Sequence, residues 1–354
     1  MKKKLVSFLL AGAMMLSMAA CGGKSSGSSS GKSSKSSSSK VKVGMVTDVG
    51  GVNDGSFNQS AWEGLQKAEK DLGIEVKYLE SKTDADYQTN IETFVDDDYD
   101  MIVCIGYALA PALKKEAAAN PDQKFAIVDD SSLADAKNVT SLMFEASQSS
   151  YLVGYAAGLT TKSNTIGFVL GMSTDMMNEF GYGYLAGAID ANPNVKVLQA
   201  NANSFADAAA GKSAANNMIS NGADVIFHAA GATGLGVIDA CKEAGIWAIG
   251  VDSDQSSVAP QTILTSAMKR VDNAVYAVAK ATKEGNVKAG VETFDLKDGG
   301  VDLAPTTDNL DPEVLKKVEA QKQAIIDGTV TVPKTAKDFA AKYGEGVYTL
   351  ADNK

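Results

Sequence analysis

Histidine, tryptophan, cysteine and proline are scarce in this chain, at 1, 2, 3 and 7 residues among 354. His228 is the sole histidine and no Cys/His grouping exists, so zinc sites built from those ligands are excluded. A nucleophile activated by histidine would have to rely on that one imidazole. Basic residues are in deficit as well, 33 against 43 acids, for a formal charge of −10. That balance leaves no electrostatic footprint for nucleic acid and disfavours a body lying flat on an anionic membrane. Long hydrophobic runs are also missing: the apolar stretch at residues 5–16 falls short of the roughly 20 residues a stable helical span needs.

What is present begins at that stretch. Lys2, Lys3 and Lys4 precede it, and Met18-Ala19-Ala20-Cys21 closes it. A positive start, a short apolar run and small residues before a cleavage point read as a secretory signal over 1–20. A cysteine directly after the small residues resembles a bacterial lipobox, in which that cysteine is acylated; Met18 stands where leucine is usual. Cleavage before Cys21 removes three lysines and no acid, leaving 30 basic and 43 acidic residues, a net −13. From residue 24 to residue 40 nearly every residue is Ser, Gly or Lys, with no apolar side chain to offset the entropy of ordering. The expectation is a flexible tether over 21–40 and a protein held outside the cytoplasm by lipid on Cys21.

The remaining body of roughly three hundred residues suffices for one large or two medium domains. Short β-rich runs at 41–47, 75–78, 101–105, 124–128, 139–144, 165–170, 196–200, 225–229, 247–251 and 263–266 alternate with helical patterns. Most are unbroken apolar runs, as expected of parallel strands covered on both faces. Helical spacing is clear at 58–72, where Ala61, Leu65, Ala68 and Leu72 share a face, and recurs at 152–159, 182–191, 206–221 and 235–244. The alternation implies an α/β fold with two doubly wound parallel-sheet lobes. A late helix within 266–283 is expected to return to the first lobe. The expected division is 41–144 plus 267–288 for lobe 1 and 145–266 plus 289–354 for lobe 2, joined by a hinge. The segment with Pro305, Pro312 and Pro333 has no such rhythm and is expected to wrap lobe 2. Cys104 and Cys241 sit in apolar surroundings and read as small core residues.

Ligands of such sheets bind beyond the C-terminal ends of the strands. The richest strand end is Thr47-Asp48-Val49-Gly50-Gly51-Val52-Asn53-Asp54-Gly55-Ser56-Phe57-Asn58-Gln59, with Ser56 expected to cap the following helix. No phosphate-loop spacing is present, and Asp48 and Asp54 would repel phosphate. Asp129-Asp130, His228 to Gly234, Asp252-Ser253-Asp254-Gln255 and Met268-Lys269-Arg270 close other strands. Acids, amides and one lysine therefore converge on one inter-lobe rim.

Four stretches resemble the basic membrane protein family, lipoproteins of the purine nucleoside receptor (PnrA-like) type. They are Gly44-Met45-Val46-Thr47-Asp48 through Asn58-Gln59-Ser60-Ala61-Trp62-Glu63-Gly64, then Ala223-Asp224-Val225-Ile226-Phe227, Ala248-Ile249-Gly250-Val251-Asp252-Ser253-Asp254-Gln255 and Thr265-Ser266-Ala267-Met268-Lys269-Arg270-Val271-Asp272. The resemblance runs from about residue 41 to Pro333. It implies a type I periplasmic-binding-protein fold, a nucleoside ligand, and an ABC permease and ATPase as partners. By the same resemblance Phe57 and Phe180 stack the base, Asp48, Asn58 and Asp129 read its edge or line its pocket, Asp252 and Lys269 hold the ribose, and Gly231 approaches the sugar. The chain departs from the family in Asp175-Met176-Met177, where a proline is common, and in Ala232, where a second glycine is usual. No cofactor or metal is expected, and the protein is expected to be monomeric. The competing readings are a sugar or signalling-molecule receptor of the same fold, a surface protein that binds a host or neighbouring cell, and a nucleoside hydrolase holding Ca²⁺ at Asp252-Ser253-Asp254.

Overall fold

The computed structural model describes residues 40–350. The signal, Cys21 and nearly all of the tether lie outside the described residues. The first sheet takes β1 (Lys42–Val46), β2 (Glu75–Leu79), β3 (Met101–Ile105), β4 (Phe125–Val128) and β5 (Val139–Phe144). The second takes β6 (Thr165–Leu170), β7 (Lys196–Asn201), β8 (Val225–Ala229), β9 (Trp247–Asp252) and β10 (Ile263–Lys269). Two late strands complete them: β11 (Gly290–Phe294) joins the first sheet and β12 (Val301–Leu303) the second. The orders are β11-β5-β4-β3-β1-β2 and β12-β10-β9-β8-β6-β7, so the second lobe repeats the first. All pairings are parallel except β10 with β12. Central strands such as Met101–Ile105 are buried throughout, while the edge strands β2 and β7 are half exposed and correspondingly mixed in sequence.

All ten strand runs expected from sequence form, and β11 and β12 are additional. The helices of the first half are α1 (Phe57–Leu72), α2 (Asp86–Asp96), α3 (Ala110–Ala119), α4 (Ala146–Thr160) and α5 (Asp175–Ala191). They are followed by α6 (Ala208–Ser220), α7 (Thr233–Ala244), α8 (Val271–Glu284), α9 (Pro312–Ile326) and α10 (Ala336–Tyr343). Helix α5 begins seven residues before the expected 182, because Thr174 caps it by accepting from the Met177 N–H at 3.2 Å. Its internal glycines do not break it, since they let α4 approach: a β-carbon on Gly183 would stand 2.1 Å from the Ser147 carbonyl oxygen.

The chain crosses between the sheets three times, after β5, between β10 and α8, and between β11 and β12. Helix α8 packs on α1, so it does lie against the first sheet's layer. The strands place the last two crossings later than the expected limits of 266 and 288: β10 runs in the second sheet to Lys269, and β11 stays in the first to Phe294. The C-terminal segment packs on the second lobe through α9 against α4 and α10 against α5. Cys104 in β3 and Cys241 in α7 are buried, free and in different lobes.

Candidate functional site

In each sheet the strand order reverses between the first strand of the lobe and the third, β1 and β3 or β6 and β8. Loops leave in opposite directions at such a point, opening a crevice at the carboxyl ends of the strands. A cavity of about 370 Å³ lies there, lined from both lobes. Its size falls in the roughly 300–1,000 Å³ range of small-molecule sites. Asp48, Phe57, Asn58, Asp129, Phe180, Gly231, Asp252 and Lys269 all line it.

The loop after β1 is organised by carboxylates. Asp48 Oδ1 accepts from the Gly50 N–H and from Asn58 Nδ2, both at 2.8 Å. Ser56, expected to cap α1, makes no capping bond with its side chain. Asp54 takes that role, accepting from the N–H groups of Ser56, Asn58 and Gln59 at 2.9, 2.8 and 3.0 Å. The reason is geometric: an aspartate one turn ahead reaches several free amides at once, which releases the Ser56 hydroxyl to bond the Asp252 carboxylate in the other lobe.

Asp129 directly follows β4 and Asp252 ends β9, strands that hold the same place in the two sheets, and both residues adopt φ 64°. Left-handed backbone at a non-glycine residue is uncommon and clusters at ligand clamps. Lys269, at the end of β10, forms an ion pair with Asp129 across the lobes, with side chains 2% and 5% exposed. The resemblance groups Lys269 with Asp252 at the ribose, whereas the salt bridge Lys269 forms here is to Asp129. Lys269 acts on Asp252 only through its charge, which pulls against burial; burial dominates and lifts the Asp252 carboxyl to about 6. Burial also lifts Asp48 to about 6, against the hydrogen bonds from Asn58 and Gly50. The Lys269 ammonium lies 4.9, 5.3 and 5.6 Å from the ring centres of Phe57, Phe144 and Phe180. Phe57 opens α1 in one lobe and Phe180 sits in α5 of the other, so the two expected stacking rings face a common space.

Two buried acceptors in the lining, Asn58 Oδ1 and Asp129 Oδ1, have no hydrogen-bond partner among the described residues. Buried polar atoms are rarely left so, and here they point to a donor from a bound molecule. Lys269 is the one cationic side chain among the described lining residues, against Asp48, Asp54, Asp84, Asp129 and Asp252. The cavity thus suits a neutral molecule rich in donors and repels anions.

Sequence reasoning missed Tyr107, after β3, and Phe205, after β7; their rings meet edge-on at 6.5 Å across the lobes. The switch-point rule would have directed attention to the β3 end, which carries no acid and so drew no notice. It also missed Met172, Met176 and Met177, which form the apolar wall beside Phe180. His228 does not line the cavity, and Asp254 turns away to cap the turn at Ser256. Among the described residues no group of three or more His, Cys, Asp or Glu is placed to hold a metal ion.

Comparison with known proteins agrees with this architecture. The solute-binding protein of an ABC transporter system from Aeropyrum pernix superposes with a TM-score of 0.77 at 28% identity, covering 85% of this chain and 96% of that one. The CD4+ T-cell-stimulating antigen of Listeria innocua is 43% identical over 360 residues, covering 94% of this chain and 99% of the relative. The ABC transporter nucleoside-binding protein BmpA of Lactococcus lactis subsp. cremoris is 40% identical, covering 83% and 89%. A family model described as ABC transporter substrate-binding protein PnrA-like matches residues 41–336. With a two-lobed cleft and relatives of this closeness, the chain belongs to the Bmp family of ABC transporter substrate-binding proteins.

Proposed function

We propose that this protein captures nucleosides, purine nucleosides foremost, in the inter-lobe cavity and delivers them to an ABC permease and its ATPase. The observation that carries the reading is the meeting of Phe57 and Phe180 from opposite lobes beside Asp48, Asn58, Asp129, Asp252 and Lys269. A purine has a large π face and a donor-bearing edge, and aromatic stacking contributes roughly 1–3 kcal/mol per base. Asp48, Asn58 and Asp129 read the edge. Asp252 accepts from the ribose hydroxyls in charge-assisted bonds worth roughly 1.5–3 kcal/mol each, with Lys269 beside them and Gly231 against the sugar. The excess of carboxylates selects against nucleotides. The name of the Lactococcus relative supports the same ligand class.

In this reading the body is a monomer that works outside the cytoplasm, tethered to the cell membrane through acylated Cys21, and ligand draws the two lobes together about their crossings. Among the described residues no helix is long and apolar enough to cross a membrane. A thermal-shift panel of nucleosides, free bases, nucleotides and pentoses tests the ligand. Nucleosides at about 100 times Kd should add roughly 2.7 kcal/mol of stability. Stabilisation by pentoses alone would overturn the reading.

A further inference from the structure

Gln255 and His228 lie outside the cavity lining yet are almost completely buried, at 1% and 0% exposure. Polar side chains buried to that degree need partners, and here the partners impose one orientation. The Val251 N–H donates to Gln255 Oε1 at 3.0 Å; a backbone N–H can only donate, so this end of the amide is the oxygen. His228 Nε2 stands 3.1 Å from the same oxygen and must therefore carry the ring proton. The Gln255 amide nitrogen is left facing the other lobe, where it donates to the Gly55 carbonyl oxygen at 2.9 Å. Gly55 precedes Ser56, whose hydroxyl bonds Asp252, so two adjacent residues of the β1 loop are held by the second lobe.

The fold makes room for this arrangement at a cost. A β-carbon on Gly250 would stand 2.6 Å from Gln255 Oε1, and one on Gly234 would stand 2.0 Å from His228 Nδ1. His228 Nδ1 itself is buried without a partner among the described residues. Apolar side chains would fill the same space without stranding a ring nitrogen, so the polar pair calls for a role beyond packing.

We propose that Gln255 is a latch that holds the lobes closed over the cavity, with His228 as the positioning residue that keeps its amide turned toward Gly55. The proposal rests on the ligand-capture reading, because the latch governs retention of the same ligand. The test uses full-length protein in detergent, with inosine as the probe. Gln255→Glu keeps the shape but, ionised at alkaline pH, has no proton to give to Gly55. Inosine should dissociate about tenfold faster from it, with association changed less than about twofold, as expected when one interface contact is lost. Without ligand, amide exchange over residues 54–59 should quicken. His228→Leu should reproduce part of both effects, and His228→Gln, which retains a donor, should restore wild-type behaviour. A merely structural role would lower thermal stability yet leave both readouts alone. Wild-type dissociation and exchange in Gln255→Glu, or equal defects in His228→Gln and His228→Leu, would overturn the latch. Should Gln255→Glu fail to fold, Gln255→Met removes the same donor to Gly55 with little change of volume; faster exchange supports the proposal and unchanged exchange overturns it. If inosine does not bind wild-type protein, the ligand reading fails, and the exchange comparison alone decides the latch.

Discussion

The carboxyl ends of β1 and β6 hold the same place in two sheets of the same order, yet they furnish opposite walls of the cavity. Beyond β1 come Asp48, Asp54 and Asn58, knitted together by hydrogen bonds, with Phe57 as the one ring. Beyond β6 come Met172, Met176, Met177 and Phe180, with no charged lining residue. The difference teaches that the scaffold specifies where a ligand sits, while the residues grafted on each loop specify its chemistry. A molecule with a polar edge and a broad apolar face fits between such walls. The symmetric element is the pair Asp129 and Asp252, with the same backbone conformation at the same strand position.

The sharpest way to break the comparison is at the point where the walls meet. Lys269 comes from the second lobe and Asp129 from the first, and both are buried. Lys269→Met should lower stability by about 3–5 kcal/mol in urea unfolding, because the remaining carboxylate is left uncompensated. Adding Asp129→Leu should recover much of the loss. A single-mutant effect below about 1 kcal/mol would show that the ion pair does not join the walls.

A smaller effect concerns pH. Burial lifts Asp252 from 3.8 to about 6, the folded protein holding its proton more tightly than the unfolded chain. Its contribution is therefore lost as pH rises from about 4 to 6. Burial holds His228 down from 6.5 to about 4 against the Gln255 hydrogen bond, so its contribution is lost as pH falls from 6.5 to about 4. Each is worth on the order of 3 kcal/mol, with opposite sign. Between pH 4.5 and 6.5, Asp252→Asn should make stability climb more with pH than in wild type, and His228→Gln should make it fall more. Equal slopes in all three proteins would remove the claim.

The smallest effect compares ring with carboxylate. Phe57→Ala should weaken inosine by roughly 1–3 kcal/mol. Asp252→Ala should also weaken inosine but leave free hypoxanthine, if it binds, nearly unchanged. Calorimetry reads both, and equal losses of nucleoside and free base in Asp252→Ala would contradict the division between base and sugar ends.

Much of this was legible in the chain. Unbroken apolar runs announced most of the ten strands, since a strand covered on both faces has little choice of composition, and the mixed edge strands β2 and β7 were read from their β-rich composition and place in the alternation. The strand ends announced the acids and Lys269. The missed strands have physical reasons: β11 is an exposed edge strand of mixed sequence, and β12 has only three residues. The start of α5 was hidden because Met176 to Gly183 reads as broken helix until α4 is packed against it.

Sequence alone determined the two-lobed α/β class, the signal-like start and the kinds of side chain at each strand end, because local pattern and composition suffice for those. Only the tertiary structure decided that Lys269 pairs with Asp129 and that Ser56 and Gln255 bridge the lobes. Partners separated by 140 to 200 residues leave no local signature. Their pairing depends on which strand ends the two sheets bring face to face, and that is a property of the assembled fold.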